Sequence, residues 1–206
     1  VPLIYRNVRK NDRNDARVLA QVGALDPGLL FPVQHRGELA QRDLLALKAR
    51  DLLVDARTKC INGARALVGG FGVSLPSCNA DTFAKRTWTS VPSDLQPLLS
   101  GLYETIGHLT ARIHDYDRQI EAIARERHPE ASCLRQVSGV GPLTSLAFVL
   151  TLEDPHRFRK SRKVAAFLGL VPRQDSSGDS RPQLRITKAG NGYLRRLLVH
   201  SAQYIL

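Results

Sequence analysis

Apolar residues recur at every third or fourth position in two long stretches of the chain, and this spacing predicts two long helices. The stretches cover residues 38–68 and 94–127. The apolar stripe predicted for the first helix consists of Leu45, Ala49, Leu52, Ala56, Cys60, Ala64 and Leu67. The stripe predicted for the second consists of Leu98, Leu102, Ile106, Leu109, Ile113, Tyr116, Ile120 and Ile123. Because an irregular segment with prolines joins the two helices, we expect an antiparallel coiled-coil hairpin, although a plain helical bundle would show the same pattern.

Shorter helices are predicted on both sides of the hairpin. A helix over residues 11–24 follows a short strand-like segment, with Asn11 or Asp12 as its N-cap. Beyond residue 130 glycine becomes frequent, and short helices are expected at 132–137, from Pro142, at 161–168 and from near Asn191. The predicted fold class is therefore mainly α, in three parts that cover residues 1–30, 31–130 and 131–206.

The charge of the chain indicates what it binds. The 30 Lys and Arg residues outnumber the 19 Asp and Glu residues, so the net charge is +11, and such an excess favours nucleic acid as a partner. We expect no membrane association, because no apolar run is long enough to cross a bilayer, and we therefore expect a cytoplasmic protein near the nucleoid. The three cysteines and six histidines lack the spacing of a zinc site.

Two carboxylates and a glycine turn are candidate site residues. Asp12 and Asp15 are three positions apart, so on a helix they share a face and could bind Mg²⁺, although acidic residues in a first turn also simply stabilise the helix. Gly139 and Gly141 lie in a Ser-Gly-Val-Gly-Pro turn that resembles a helix-hairpin-helix motif, in which backbone N–H groups bind phosphate. A tight turn without any ligand would have the same sequence.

A Ser-Ser-Gly step near the end of the chain lies among cationic side chains. Ser177 is part of this step, and the cations around it are Arg173, Arg181, Arg185 and Lys188. A serine hydroxyl can act as a nucleophile where a base activates it and cations stabilise the developing charge. Spacing alone favours an ordinary polar loop here.

Six short motifs occur in an order that resembles one protein family. They are K-N-D-R-N-D-A at residues 10–16, S-G-V-G-P at 138–142, D-P-H-R-F at 154–158, A-A-F-L-G-L-V-P at 165–172 and S-S-G at 176–178, followed by I-T-K-A-G-N at 186–191. Each motif is weak alone. The ordered set resembles the DEDD transposases of the insertion-sequence 110/116/902 family and spans essentially the whole chain.

The resemblance implies a fold and a reaction. Residues 1–30 would be the remnant of a RuvC-like α/β nuclease domain, the hairpin would be a coiled-coil linker, and residues 131–206 would form a small helical transposase domain with a helix-hairpin-helix-like motif. Asp12 and Asp15 would be two of four acidic ligands of Mg²⁺, and Ser177 would attack DNA. Nucleic acid would be bound by Gly139, Gly141, Arg173, Arg181, Arg185, Lys188 and Asn191. Family members pair DNA with a structured guide RNA and form homo-oligomers through the hairpin.

One departure from the family pattern limits these expectations. The first Asp and the Glu of the four ligands would precede Val1, and both ends of the chain look cut, so we expect a fragment with little activity alone. A non-catalytic helix-hairpin-helix DNA-binding module is the main alternative. An RNA-binding assembly protein is a third possibility that the same charge would explain.

Overall fold

Helices dominate the computed structural model, which describes residues 11–30, 36–175 and 182–205. In these residues the α-helices are α1 (Asp12–Leu25), α2 (Glu38–Gly69), α3 (Phe83–Trp88), α4 (Gln96–Arg127), α5 (Ala131–Leu134), α6 (Pro142–Leu152), α7 (Arg162–Phe167) and α8 (Gly192–Ala202). The mainly α fold class is confirmed. None of these helices is both long and apolar enough to cross a membrane.

Helix α1 belongs to a unit of its own that ends at Gly37. The side chain of Asn11 caps the helix by accepting a hydrogen bond from the N–H of Asn14 at 2.8 Å, which confirms the predicted start. At the other end the carboxylate of Asp26 accepts from the N–H of Gly28, and a short 3-10 turn follows. The strand expected before α1 lies outside the described residues, so the RuvC-like assignment stays a prediction.

The predicted antiparallel hairpin is confirmed by the order of contacts along α2 and α4. The start of α2 packs on the end of α4, where Leu44 and Leu47 share a core with Ile120. The end of α2 packs on the start of α4 in a second core, which contains Val68 and Leu99. Residues 71–95, which connect the two long helices and include Phe83 of α3, cover this second core at the tip of the hairpin.

The stripe predicted for α2 is largely wrong, because only Ala64 of its seven residues is buried and the helix packs mainly through other positions. Leu45 and Leu52 are 66% and 70% exposed. The buried positions of α2 are Ala40, Asp43, Leu44, Leu47, Arg57, Ile61, Ala64 and Val68. Two charged residues, Asp43 and Arg57, interrupt this face, so a count of apolar residues favours the exposed stripe. The stripe predicted for α4 is largely right, but Leu98 is exposed and its neighbour Leu99 is buried.

Paired charges fill the space between the two apolar cores of the hairpin. The buried guanidinium of Arg57 donates hydrogen bonds to Asp81 and, at 3.3 Å, to the hydroxyl of Thr110. Its hydrogen bond lowers the pKa of the Asp81 carboxyl. Two turns nearer the base, the Nε of Arg50 lies 2.5 Å from a carboxylate oxygen of Asp117. The middle of the hairpin is therefore held by charge-assisted hydrogen bonds.

The base of the hairpin and the C-terminal helices share one core. Leu47 of α2, Leu146 of α6 and Leu194 of α8 are fully buried in it, and Ile120 of α4 joins them. Residues 38–206 accordingly form one compact unit. The boundary expected near residue 130 coincides with the end of α4, but the packing continues across it.

A buried carboxylate stabilises this base. Asp43 has a side chain that is only 2% exposed, and the Nη1 of Arg127 donates a hydrogen bond to it at 2.6 Å. The Nε2 of His128 lies 2.9 Å from the other carboxylate oxygen. These contacts tie the start of α2 to the end of α4, next to the shared core.

Replacing Asp43 with alanine should lower the free energy of unfolding by about 3 kcal/mol, because the substitution leaves Arg127 and His128 without their shared partner. Denaturation with urea measures this loss. Asp115→Ala is the control, since Asp115 pairs with Arg112 and Arg118 on the surface, and its loss should cost about 0.5 kcal/mol. Equal, small losses in the two variants would show that Asp43 does not stabilise the base.

Candidate nucleic-acid interface

The positive charge of the chain is unevenly distributed. Residues 38–130, which form the hairpin, contain twelve Lys and Arg and twelve Asp and Glu. Residues 131–206 contain twelve Lys and Arg but only four Asp and Glu. Most of the net charge of +11 therefore belongs to the C-terminal segment, and a polyanion would be attracted there.

The two segments also differ in how their cations are used. Many arginines of the hairpin pair with carboxylates, as Arg42 does with Glu38 and Arg118 with Asp115. In the described part of the C-terminal segment, eight exposed cations form no ion pair: Arg157, Arg159, Lys160, Arg162, Lys163, Arg173, Arg185 and Lys188. These cations remain available to an external anion.

Two of the family-like motifs form one short antiparallel ribbon. Pro172 and Ile186 form a β-bridge, and the N–H of Arg173 donates to the carbonyl of Arg185 at 3.0 Å. Two further backbone hydrogen bonds continue the ribbon, from Thr187 to Val171 and from Lys188 to Gly169. The ribbon therefore places Arg173 and Arg185 opposite each other, and Lys188 lies at the other end of the same ribbon.

Glycine is required where α7 ends and the ribbon begins. Gly169 has a φ of +67° and follows α7 in a Schellman motif, in which the N–H of Leu170 reaches the carbonyl of Ala165. A Cβ on Gly169 would lie 2.3 Å from backbone atoms of Ala189, and one on Gly190 would lie 2.1 Å from the carbonyl oxygen of Phe167. The two backbones thus cross with no room for a side chain, which explains why both motifs contain glycine.

Hydrogen bonds from side chains of α8 stabilise the place where the two backbone segments cross. The Nη1 of Arg195 donates to the carbonyls of Leu168 at 2.9 Å and Ala189 at 2.8 Å. Asn191 caps α8 by accepting from the N–H of Leu194, and its amide nitrogen lies 3.3 Å from the hydroxyl of Thr151. Both polar atoms of the Asn191 side chain are therefore engaged within the protein, so the structure gives this residue a structural role beside the predicted one.

Helix α8 is also attached to the hairpin. The Nη2 of Arg196 donates to both carboxylate oxygens of Asp51 on α2, at 2.5 and 2.6 Å. Burial raises the pKa of the neighbouring Tyr193 to about 12, so its hydroxyl keeps its proton at neutral pH. The ribbon is thus held, through α8, on the hairpin.

The central residues of the predicted catalytic step, Ser176 and Ser177, lie outside the described residues, as does Arg181. The residues that flank this step are described, and the ribbon pairs them. Ser177 follows Arg173 by four positions along the chain.

The predicted glycine turn packs against the end of α8. Gly139 has a φ of +79°, and a Cβ there would lie 2.4 Å from the carbonyl oxygen of Ser201. Close packing within the protein therefore already accounts for this glycine. Gly141 precedes α6, and a Cβ there would meet nothing within 4 Å. The helix before the turn has only the four residues Ala131–Leu134, shorter than expected.

The two predicted metal ligands, Asp12 and Asp15, both lie in the first turn of α1. Asp12 is exposed. Asp15 is half-buried, and one of its carboxylate oxygens is shielded without a hydrogen-bond partner in the described structure. Among the described residues, no group of three or more His, Cys, Asp or Glu side chains could hold a metal ion.

Sequence reasoning missed one cationic segment of the interface. Residues 157–163, which we call the basic loop, read R-F-R-K-S-R-K and contain five Lys or Arg. All five side chains are exposed, and the loop connects α6 to α7. Five cations within seven residues would by themselves have predicted an anion-binding segment, but the motif-based prediction included only the glycines, Ser177 and the cations near it.

The fold and the interface define a mainly α protein whose basic C-terminal helices sit on an electrically neutral helical hairpin. Residues 131–206 match the model of the transposase IS116/IS110/IS902 family. The chain belongs to this family of transposases, as its motifs indicate.

Curated relatives agree with this assignment. The chain is 36% identical to the transposase for insertion sequence element IS1111A of Coxiella burnetii, over 98% of this chain and 56% of that protein. It is 31% identical to a probable family 20 transposase of Pseudomonas aeruginosa and 32% identical to the transposase for insertion sequence element IS1328 of Yersinia enterocolitica, over 96% and 98% of this chain. It spans 60% of the length of each of these two relatives.

Replacing Gly169 with alanine should destabilise the chain by about 2 kcal/mol, because the new methyl group meets backbone atoms at a positive φ. Gly101→Ala is a matched control, since Gly101 lies within α4 and a Cβ there meets nothing within 4 Å. That change should stabilise the chain by about 0.5 kcal/mol. Thermal unfolding compares the two variants, and an unchanged midpoint for Gly169→Ala would contradict the tight crossing.

Proposed function

We propose that this chain acts in DNA transposition, as part of a protein that cleaves DNA strands and rejoins them. The observation that carries the proposal is the ribbon, which pairs Arg173 with Arg185 and so frames the Ser-Ser-Gly step within a basic segment. The membership of the family and the transposase relatives support the same reaction. DNA is the proposed substrate, which would place the protein in the cytoplasm with the nucleoid.

In this proposal the hydroxyl of Ser177 attacks a backbone phosphorus of DNA. A bond forms between the serine oxygen and phosphorus, while the bond from phosphorus to a deoxyribose oxygen breaks. The serine proton passes to a base, and the leaving deoxyribose oxygen gains a proton. The phosphoserine ester keeps the energy of the broken bond for rejoining. Arg173 and Arg185, with Arg181 and Lys188, would bind the phosphate oxygens and stabilise the charge that develops on them.

Asp12 and Asp15 are the proposed magnesium ligands of this chain. Their spacing places both carboxylates on one face of α1, and Mg²⁺ commonly uses one or two carboxylates together with water and substrate phosphate. When bound, the ion would supply positive charge to a reacting phosphate. Further ligands would have to complete the site, since the described residues contain no group of three or more His, Cys, Asp or Glu that could hold a metal ion.

A structured guide RNA is the proposed second nucleic-acid partner. The family resemblance suggests it, and the excess of unpaired cations in residues 131–206 would suit RNA as well as DNA. In this arrangement Gly139 and Gly141 present a turn to a phosphate, and Asn191 acts by fixing the start of α8.

Ser177→Ala should abolish a covalent link between protein and DNA in a protein extended to the length of its relatives. Ser176→Ala removes the same group one position earlier and should retain most of the link. Both variants should still bind DNA, because the cations remain. A denaturing gel of labelled DNA after reaction shows the protein-linked band.

Persistence of that band in Ser177→Ala would assign the nucleophile to another residue. The alternative of a non-catalytic DNA-binding module predicts no band in any variant, with DNA binding intact in all of them. The same gel therefore separates the two functions.

We further propose that a second copy of the chain covers an outward stripe on α2. The stripe consists of Leu45, Ala49, Leu52, Ala56 and Leu67, of which the three leucines are exposed. It extends over 22 residues, about 33 Å of helix, and exposed apolar stripes of this length commonly mark an interface. The stripe of α4, by contrast, is largely covered by α2 within one chain.

Replacing Leu45 and Leu52 together with aspartate should therefore dissociate the homo-oligomer without loss of helix, because both side chains point away from the cores. Sedimentation equilibrium measures the mass, and circular dichroism measures the helix content. Leu98→Asp is the control, since Leu98 is 79% exposed but lies outside the stripe. An unchanged mass in the double variant, or a monomeric wild-type chain, would contradict this interface.

A further inference from the structure

We propose that the basic loop, residues 157–163, is a binding site for the phosphodiester backbone of nucleic acid. The inference rests on the proposed function only in taking nucleic acid as the partner, and it assigns a site outside the ribbon and the serine step. The loop contributes five of the twelve Lys and Arg residues in residues 131–206.

The start of the loop has a defined backbone. The Asp154 side chain accepts a hydrogen bond from the N–H of His156 at 2.8 Å and so caps the short 3-10 helix Pro155–Arg157. Phe158 then packs edge-on against Phe167 of α7, with ring centroids 5.4 Å apart. Both rings lie against the core at the hairpin base. A charged loop that is anchored in this way loses less conformational entropy when it binds a ligand.

Arg157 is held by aromatic contacts. Its Cζ lies 5.2 Å from the ring centroid of Phe158 and 5.0 Å from that of Phe167. Cation–π contact fixes the guanidinium plane while using none of its N–H groups as hydrogen-bond donors. A fixed, planar guanidinium matches the geometry of two phosphate oxygens. Arg157 is therefore oriented for an anion that the protein itself does not supply.

The remaining cations of the loop are likewise uncompensated. Arg159, Lys160, Arg162 and Lys163 are exposed, and none forms an ion pair with a carboxylate in the described part of the chain. The carboxylate of Asp154, the nearest acidic residue in the sequence, is used by the cap. Five cations within seven residues repel each other, and an external polyanion would relieve that repulsion.

The position of the loop suits an extended polyanion. The basic loop ends within the first turn of α7, and residues 164–168 separate it from Gly169 at the glycine crossing. The six steps from Lys163 to Gly169 correspond to about 9 Å of helix, which is comparable to the DNA major groove, about 12 Å wide. One duplex could therefore contact the loop and the cations of the ribbon together. Contacts with phosphates fix the position and orientation of the protein on a duplex but do not read its base sequence.

The test compares two double variants of the 206-residue chain that remove the same charges. Arg159→Ala with Lys160→Ala changes the basic loop. Lys85→Ala with Arg86→Ala removes one Lys and one Arg that are also adjacent and exposed, but on α3 at the tip of the hairpin. Binding to labelled duplex DNA and to a structured RNA hairpin is measured between 50 and 200 mM salt.

The loop variant should bind more weakly, and its plot of log affinity against log salt should be shallower than that of the wild type by about 1.8, since each lost phosphate contact removes about 0.9. The ratio of wild-type affinity to variant affinity should therefore grow about 12-fold as the salt concentration falls fourfold, from 200 to 50 mM. The tip variant should follow the wild-type line. A deficit with DNA alone, RNA alone or both supports the site and identifies its ligand.

Equal deficits in the two double variants would overturn the proposal, because binding would then follow total charge and not location. A loop variant that binds like the wild type would overturn it as well. If the wild-type chain binds neither nucleic acid, the proposed function itself fails. A failed serine assay, by contrast, would leave this comparison unaffected.

A conservative pair of variants tests the role of the rings. Arg157→Lys keeps the charge but loses the planar group between the phenyl rings, so it should weaken binding. Arg159→Lys is the same substitution at a position that contacts neither ring, and it should bind nearly like the wild type. Equal binding by the two lysine variants would show that the aromatic contacts of Arg157 do not orient it for phosphate.

Discussion

The structure depends on the core at the base of the hairpin, because neither part of residues 38–206 packs completely without the other. The C-terminal helices have at most eleven residues each, and helices of this length are marginal in water unless an apolar face is buried. Leu146 and Leu194 bury that face against Leu47 of α2 and Ile120 of α4. The ribbon and the basic loop are in turn attached to these helices, so the interface takes its position from the hairpin.

Much of the fold could be predicted from the sequence, because helix ends have local signals. Asn11 and Asn191 cap α1 and α8, Pro142 begins α6 and Gly169 follows α7, all as predicted. The packed face of α2 could not be predicted, since it depends on partners that are distant in sequence. Arg57 is buried there because Asp81 and Thr110 receive its hydrogen bonds, and a pattern of apolar residues contains no sign of those contacts.

In the candidate site, too, some features could be predicted from the local sequence, and others depend on contacts between segments that are distant in sequence. The sequence predicts Arg173, Arg185 and Lys188 as site residues, and the structure places all three on one backbone ribbon; their binding of nucleic acid stays a prediction. The need for Gly169 and Gly190 follows from the crossing of two backbones about twenty positions apart in sequence, which spacing alone does not reveal. The basic loop was visible as a dense run of charge, but only the structure separates its unpaired cations from the paired cations of the hairpin.

That separation has a physical meaning for function. A surface ion pair stabilises a protein by roughly 0–1 kcal/mol, so placing carboxylates beside the cations of residues 157–188 would change stability little. The same carboxylates would compete with phosphate for every guanidinium and ammonium group. A chain that binds a polyanion must therefore leave those cations uncompensated, while a segment that only supports them can pair its own charges. The hairpin has equal numbers of both signs and the C-terminal segment has three cations for each acid, which is the distribution that the proposed function requires.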